Sequence, residues 1–165
     1  MATTYQTVPG LEVSDSLTLQ PILQSRLTGV IDLQLTLKHV HWNVIGPDFI
    51  AVHEMLDEHV GAVREMSDEL AERIRTLGGE PVGTPGHLVQ SRDWKDYPLG
   101  RALVTEHLEA LDRVYNGIVV DHRKAIEATS SDPVSQDMLT GQTAKLELFQ
   151  WFVRSFLESR PTPQA

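Results

Sequence analysis

His53, Asp57, Asp68 and Glu72 lie in one stretch of sequence with helical periodicity. At about 100° per residue they fall within roughly 100° of one another around a helix. A single helix face would therefore present an imidazole and three carboxylates, the donors that suit iron, manganese or zinc. His53 and Asp57 are one turn apart, as are Asp68 and Glu72. The two pairs, however, are separated by about 16 Å along the axis at 1.5 Å per residue. One small metal centre cannot reach both within a chain. The positions are mirror-symmetric about the junction of Ala62 and Val63. Two copies of this helix, antiparallel about a dyad beside the small Gly61, would set His53 and Asp57 of one against Asp68 and Glu72 of the other. An isologous dimer repeats each contact, so it would hold two such sites.

Taken singly, each of these residues reads as a solvated surface group. The mirror spacing, together with His41 just ahead of the Gly46-Pro47 break, raises the metal reading above that. Other chemistries fit less well. His53-Glu54-Met55-Leu56-Asp57 approaches the zinc-protease pattern His-Glu-x-x-His but ends in Asp, with no further ligand at a suitable spacing. No histidine has Glu three residues before it, so the Glu-x-x-His pairs of a bundle-centre di-iron site are missing. The glycines at 78, 79, 83 and 86 lack a following Lys-Ser/Thr and read as turns.

These residues need long helices to position them. Apolar residues at Leu19, Leu23, Leu27, Val30, Leu33, Leu37, Val40 and Val44 predict a first helix that opens near Ser14–Ser16 and stops at Gly46-Pro47. Val52, Leu56, Val60, Val63, Met66, Leu70, Ile74 and Leu77 predict a second over about 49–77, ended by Gly78-Gly79. A turn-rich crossing follows, with a short helix near His87–Gln90. A third helix is expected from about Pro98, capped by Asp96. A fourth opens with Asp132 as cap and Pro133 in its first turn, and ends at Pro161 and Pro163. No strand is expected. Residues 1–13 read as an arm, 14–160 as one four-helix bundle with a long crossover, and 161–165 as a short tail.

The chain has 165 residues, 41% of them hydrophobic, with a net charge of -9 and no cysteine. That is one domain with room for a core. Thiolate chemistry and disulfides are excluded. The acidic balance suits cations better than nucleic acid. No apolar run approaches membrane-spanning length, and the start lacks a signal-peptide pattern, so the cytoplasm is the expected compartment.

The run Leu35-Thr36-Leu37-Lys38-His39-Val40-His41-Trp42-Asn43-Val44-Ile45-Gly46-Pro47-Asp48-Phe49, continued by His53-Glu54-Met55-Leu56-Asp57, strongly resembles the Dps family, the mini-ferritins named DNA-binding proteins from starved cells. Asp68-Glu69-Leu70-Ala71-Glu72-Arg73, Leu77-Gly78-Gly79 and Phe149-Gln150-Trp151-Phe152 match as well, so the likeness covers about 16–159. The resemblance implies an all-α, ferritin-like bundle with a short helix in the crossing, assembled as a hollow dodecamer. It implies a ferroxidase that oxidises Fe(II), preferably with hydrogen peroxide, dioxygen being the other oxidant, and stores ferric iron as mineral. The implied ligands are His41, His53 and Asp57 from one chain and Asp68 and Glu72 from its twofold mate. Trp42 would neighbour the site, either absorbing oxidising equivalents or packing an interface. Asp132 and Asp137 would line a pore through which iron enters. His39, His59 and His122 read as surface groups or neighbours of the site.

One feature departs from the family's name. Strong DNA binders in the family carry basic tails. Here no Lys or Arg precedes Arg26, and the chain after Arg160 reads Pro-Thr-Pro-Gln-Ala. Phosphate contact needs clustered cations. Iron oxidation is therefore the first reading. A DNA-compacting structural protein, nucleoid-associated, is the second.

Overall fold

The computed structural model describes residues 8–158. In chain order it contains α1 (Val13–Asn43), β1 (Val44–Ile45), α2 (Phe49–Thr76), α3 (Pro85–Ser91), β2 (Ala102–Leu103), α4 (Val104–Ala128) and α5 (Pro133–Glu158). The four long helices form a bundle in which α1 packs chiefly on α2 and α4 on α5. Burial follows the apolar spacing. On α1 the sealed positions are Leu19, Leu23, Leu27, Val30, Leu33, Leu37 and Val40, at intervals of three and four. Leu108, Leu111, Tyr115, Leu139, Leu146, Phe149 and Val153 close the core from α4 and α5.

The α1–α2 turn is tight. Gly46 and Asp48 both take positive φ, at 100° and 64°, and only a glycine holds the first without strain. The C-terminus of α2 is a Schellman turn. Gly78 has φ 82°, its N–H reaches Arg75 O, and the Gly79 N–H reaches Ile74 O at 2.9 Å. A Cβ on Gly79 would meet Gln20 at 2.9 Å. That close approach lets Ser16 and Gln20 both donate to Leu77 O, tying the start of α1 to the end of α2.

The crossing is strapped down rather than loose. Gln24 donates to Val82 O and accepts from Val82 N. Asp32 accepts from Arg92 and from the Trp94 indole. This strap corrects the expected start of α4. Pro98 and Asp96 lie in the extended connection, and α4 begins at Val104, where the Glu106 carboxylate accepts the Leu103 N–H. Arg92 holds Asp96, so that carboxylate is not a cap. The expectation of no strand is also corrected. Val44–Ile45 pairs in parallel with Ala102–Leu103. Two residues per strand leave no alternation to read, yet they fix the start of α4 beside the end of α1. The expected arm before residue 8 and the stops at Pro161 and Pro163 lie outside the described residues.

His59 and His122 are not surface groups. Both are fully buried, as is His107. His59 stacks on Phe149 at 3.8 Å and its Nδ1 lies 2.8 Å from the Tyr115 hydroxyl. The His122 Nδ1 donates to Ile118 O. Burial pushes both imidazoles down from about 6.5 to about 4. The folded state therefore holds them neutral, whereas the unfolded chain charges them below about 6.5. Their contribution is complete above that value and is lost as pH falls towards 4, by roughly 3 kcal/mol per group. Urea midpoints measured at fixed protein concentration should drop steeply between pH 7 and pH 4.5. A His59→Gln/His122→Gln variant should show a flatter profile. Parallel profiles would assign the acid lability elsewhere.

Candidate metal centre

The end of α1 and the first turns of α2 are folded against each other by the Gly46 turn. This brings His41 and His53 face to face, with ring centroids 3.6 Å apart and planes 22° from parallel. The contact is reciprocal. His41 Nδ1 lies 3.0 Å from His53 O, and His53 Nδ1 lies 3.0 Å from His41 O. A carbonyl oxygen can only accept, so both Nδ1 atoms carry the proton. Each ring is thereby held in the tautomer that leaves Nε2 as a lone-pair donor, the arrangement a metal-ligating histidine requires. His41 O is also one of the last carbonyls of α1, which would otherwise lack a partner.

Asp57, one turn after His53, completes the group. Donor atoms of His41, His53 and Asp57 lie within 4.8 Å of one another. The His41 ring is buried, His53 is half-buried and Asp57 is exposed. Asp57 Oδ1 is 3.4 Å from His41 Nδ1 and accepts from Lys38 Nζ at 2.6 Å. The Lys38 hydrogen bond, followed by the smaller effects of His41, Lys38 and His53 charge, holds the Asp57 carboxyl below its ordinary range despite some desolvation. Lys38 was not anticipated from sequence, although it stands one turn before His41 on the same face of α1.

Asp68 and Glu72 do not join this group within the chain. Both are exposed on α2, on the far side of Gly61, which has nothing within 4 Å of where its Cβ would be. Around the half-site the surface is apolar. Trp42 is 70% exposed, Ile50 59% and Leu35 57%, and the Phe49 ring sits 5.1 Å from that of His53. A cluster of exposed large apolar side chains marks an interaction surface. Trp42 accordingly lies beside the site, facing outwards.

Asp132 and Asp137 separate. Asp132 is buried, caps α5 by accepting from Ser135 N, and accepts from Arg73 Nη2 at 2.5 Å. Burial opposes its ionisation, but the Ser135 hydroxyl and the Arg73 guanidinium outweigh it and hold the carboxyl below its ordinary range. Asp137 is exposed one turn further along. The Arg73 partner, on α2, could not be seen in sequence because it lies 59 positions earlier.

Comparison with known proteins settles the lineage. A family model described as Ferritin-like domain matches residues 21–161. The DNA protection during starvation protein of Mycolicibacterium smegmatis is 53% identical over 154 residues, covering 93% of this chain and 84% of that one. The chain belongs to the Dps family. The structure of Mycobacterium smegmatis Dps superposes with TM-score 0.92 at 52% identity, covering 95% of this chain and 90% of the other. DpsA14 from Streptomyces coelicolor gives 0.90 at 53% identity, covering 96% and 95%. The all-α, ferritin-like bundle expected from the sequence is the fold observed, and a His/Asp cluster on a Dps bundle is a credible metal site.

Lys38 has a consequence that can be measured. Its ammonium holds the carboxylate oxygen that a metal ion would take, so an arriving cation must displace it. Lys38→Met should tighten Co(II) binding several-fold under anaerobic titration, read from the visible spectrum. Weaker binding would show that Lys38 instead orients Asp57 for the metal.

Proposed function

We propose that this chain is a ferroxidase and iron-storage protein. His41, His53 and Asp57 of one protomer and Asp68 and Glu72 of its twofold mate bind Fe(II) as substrate, and the ferric product is kept as mineral in a hollow dodecamer. The observation that carries this reading is the half-built site: donor atoms of two imidazoles and a carboxylate lie within 4.8 Å of one another, and the further carboxylates stand at the mirror position on the same helix. The carboxylates offset the extra positive charge as Fe(II) becomes Fe(III). The imidazoles fix geometry and leave positions open. Hydrogen peroxide, or dioxygen in its place, is the electron acceptor. Peroxide takes one electron from each of two Fe(II) and two protons, and leaves as two waters. Both reagents of hydroxyl-radical chemistry are withdrawn together.

That outcome would protect DNA without touching it. Among the described residues no helix is long and apolar enough to cross a membrane, and the assembly would work in the cytoplasm beside the nucleoid. Iron would enter by an acidic pore to which Asp137 contributes directly. Asp132, tied to Arg73, contributes by fixing the start of α5.

Replacing Asp57 and Glu72 together by Ala should abolish fast Fe(II) oxidation while the oligomer still assembles, as monitored by ferric absorbance and size. The shared geometry has a sharper test. One variant carries His53→Ala and Asp57→Ala, a second carries Asp68→Ala and Glu72→Ala, and each alone should be inactive. Refolded as a mixture, they should regain roughly one site in four, because half of random dimers are mixed and each mixed dimer has one intact site. Mixed dimers without activity would rule out a site shared between chains.

DNA compaction is the competing reading, since the DNA protection in the name of the Mycolicibacterium relative would be served by either. The net charge of -9 opposes it. A gel-shift titration should show weak binding that vanishes by about 0.2 M salt, where phosphate contacts are screened. Tight binding persisting at that salt would reverse the order of the two readings.

A further inference from the structure

Along the strap, α1 and α4 leave a gap. It is a cleft of about 510 Å³, within the range that holds a small molecule. Its apolar walls are Leu33 on α1, Val114 and Ile118 on α4, and Trp94, Tyr97 and Pro98 of the strap. The Trp94 indole donates to Asp32, which fixes its ring as a wall. Gly29 on α1 and Gly117 on α4 also line the cleft. Glycine inside a helix costs about 1 kcal/mol against alanine. Neither glycine has the positive φ that would call for one. A Cβ on Gly117 would meet nothing within 4 Å, so no close approach requires its absence. What the missing side chain does is keep the cleft open.

Towards the start of α1 the lining includes Arg26, which is only 8% exposed. A guanidinium has five N–H donors. Here one of them bonds to Ser25 Oγ at 2.9 Å, and Asp121 stands at 3.8 Å, beyond hydrogen-bond reach. The other nitrogens are not sealed in protein, so they face the cleft that the side chain lines. Burial pushes this guanidinium down from its ordinary value, although Asp121 and Asp93 pull the other way. The two carboxylates therefore do not fully replace its lost water. Most acids of the cleft are engaged elsewhere. Asp32 and Asp96 hold Arg92, and Asp121 holds Lys124 at 2.9 Å. Lys95 and Arg113 line the cleft, exposed and with no salt bridge among the described residues. That leaves Asp93 as the one uncommitted acid against three cations. A second cleft of about 440 Å³, lined by Ser25, His87 and Ser91, shares Arg26 and Trp94 with the first. The guanidinium thus stands where an apolar body and a hydrated head group would meet. We propose that this cleft binds a small aromatic anion, its rings against Trp94 and Gly117 and its carboxylate or sulfonate on Arg26. Such charge-assisted pairs are the strong kind, and the guanidinium fork takes two oxygens at once. Arg26 precedes His41 by fifteen residues, about 22 Å along α1. The site is separate from the candidate metal centre, and the inference does not rest on the ferroxidase reading.

The test titrates the assembled protein with 1-anilinonaphthalene-8-sulfonate and, in parallel, with N-phenyl-1-naphthylamine, which has the same rings and no charge. The anion should bind saturably, one per chain, with blue-shifted emission. It should bind about tenfold tighter than the neutral probe, the scale of one hydrogen bond to a charged group. Arg26→Met should remove that preference and keep the affinity for the neutral probe. Gly117→Leu, which fills the cleft, should abolish binding of both. Equal affinities in the unaltered protein, or a preference that survives Arg26→Met, overturns the proposal. So does binding unchanged in Gly117→Leu, the result expected if the probes sit on the exposed Trp42 rim instead. Photolabelling with 4-azidobenzoate locates the site without any variant. The label should fall within residues 93–98 or 110–121, and a label found elsewhere overturns the assignment.

Discussion

The reciprocal hydrogen bonds between His41 and His53 are the contact on which the site depends. Each imidazole gives its Nδ1 proton to the other residue's backbone carbonyl. Each ring is held by the other residue, and the His41 carbonyl, among the last of α1, finds its partner in His53. The arrangement exists only if α1 and α2 meet at the distance that the Gly46 turn dictates. It also fixes the chemistry, because a proton on Nδ1 leaves Nε2 with the free lone pair. The remainder of the bundle serves as the frame that keeps these two helix ends in register. The Ser16 and Gln20 ties to Leu77 hold the same two helices at their opposite ends.

A half-site of this kind is incomplete by construction. Two neutral nitrogens and one carboxylate offset only one unit of charge on a divalent ion, and Lys38 already occupies that carboxylate. Asp68 and Glu72 would add two negative charges, yet they stand where no other ligand of their own chain can reach. In the proposed dimer the apolar rim of Trp42, Phe49, Ile50 and Leu35 would supply the missing driving force. Covering it releases ordered water and sets the two charged groups against each other in a medium where they interact more strongly. On the proposed reading, association and metal affinity would be aspects of one surface.

Much of the fold was legible because burial obeys helical spacing. The stripes of α1 and α2 and the cap of α5 by Asp132 stand where the residues put them. What escaped the sequence was long-range. Pro98 carries the local signature of a helix start, but Asp32, sixty residues earlier on α1, anchors Arg92 and holds the strap extended. His59 fits the spacing of Leu56 and Val63, so periodicity could have placed it inside; its residue type argued otherwise. Its interior role became visible only with Tyr115 and Phe149 beside it. Of the candidate site, the one-turn spacing that brings His53 beside Asp57 was legible in the sequence, and the mirror placing of Asp68 and Glu72 belongs to the proposal. Lys38 was not legible, since nothing local distinguishes it from an ordinary surface lysine.

The buried histidines also explain why metal chemistry belongs at the edge of this bundle and not at its centre. Inside, the donors are His59, Tyr115, His122 and Gln142, all uncharged. Among the described residues the only buried carboxylate is Asp132, and Arg73 neutralises it. A divalent ion placed there would be a charge in a low-dielectric interior without compensation, which costs far more than coordination by neutral nitrogens returns. At the surface the balance reverses. Carboxylates remain hydrated and ionised until a second copy arrives, so no charge is buried before its counter-charge is present. The same sequence can therefore fold around a core whose one buried carboxylate is paired, while the proposed anionic sites would be finished only when two chains meet.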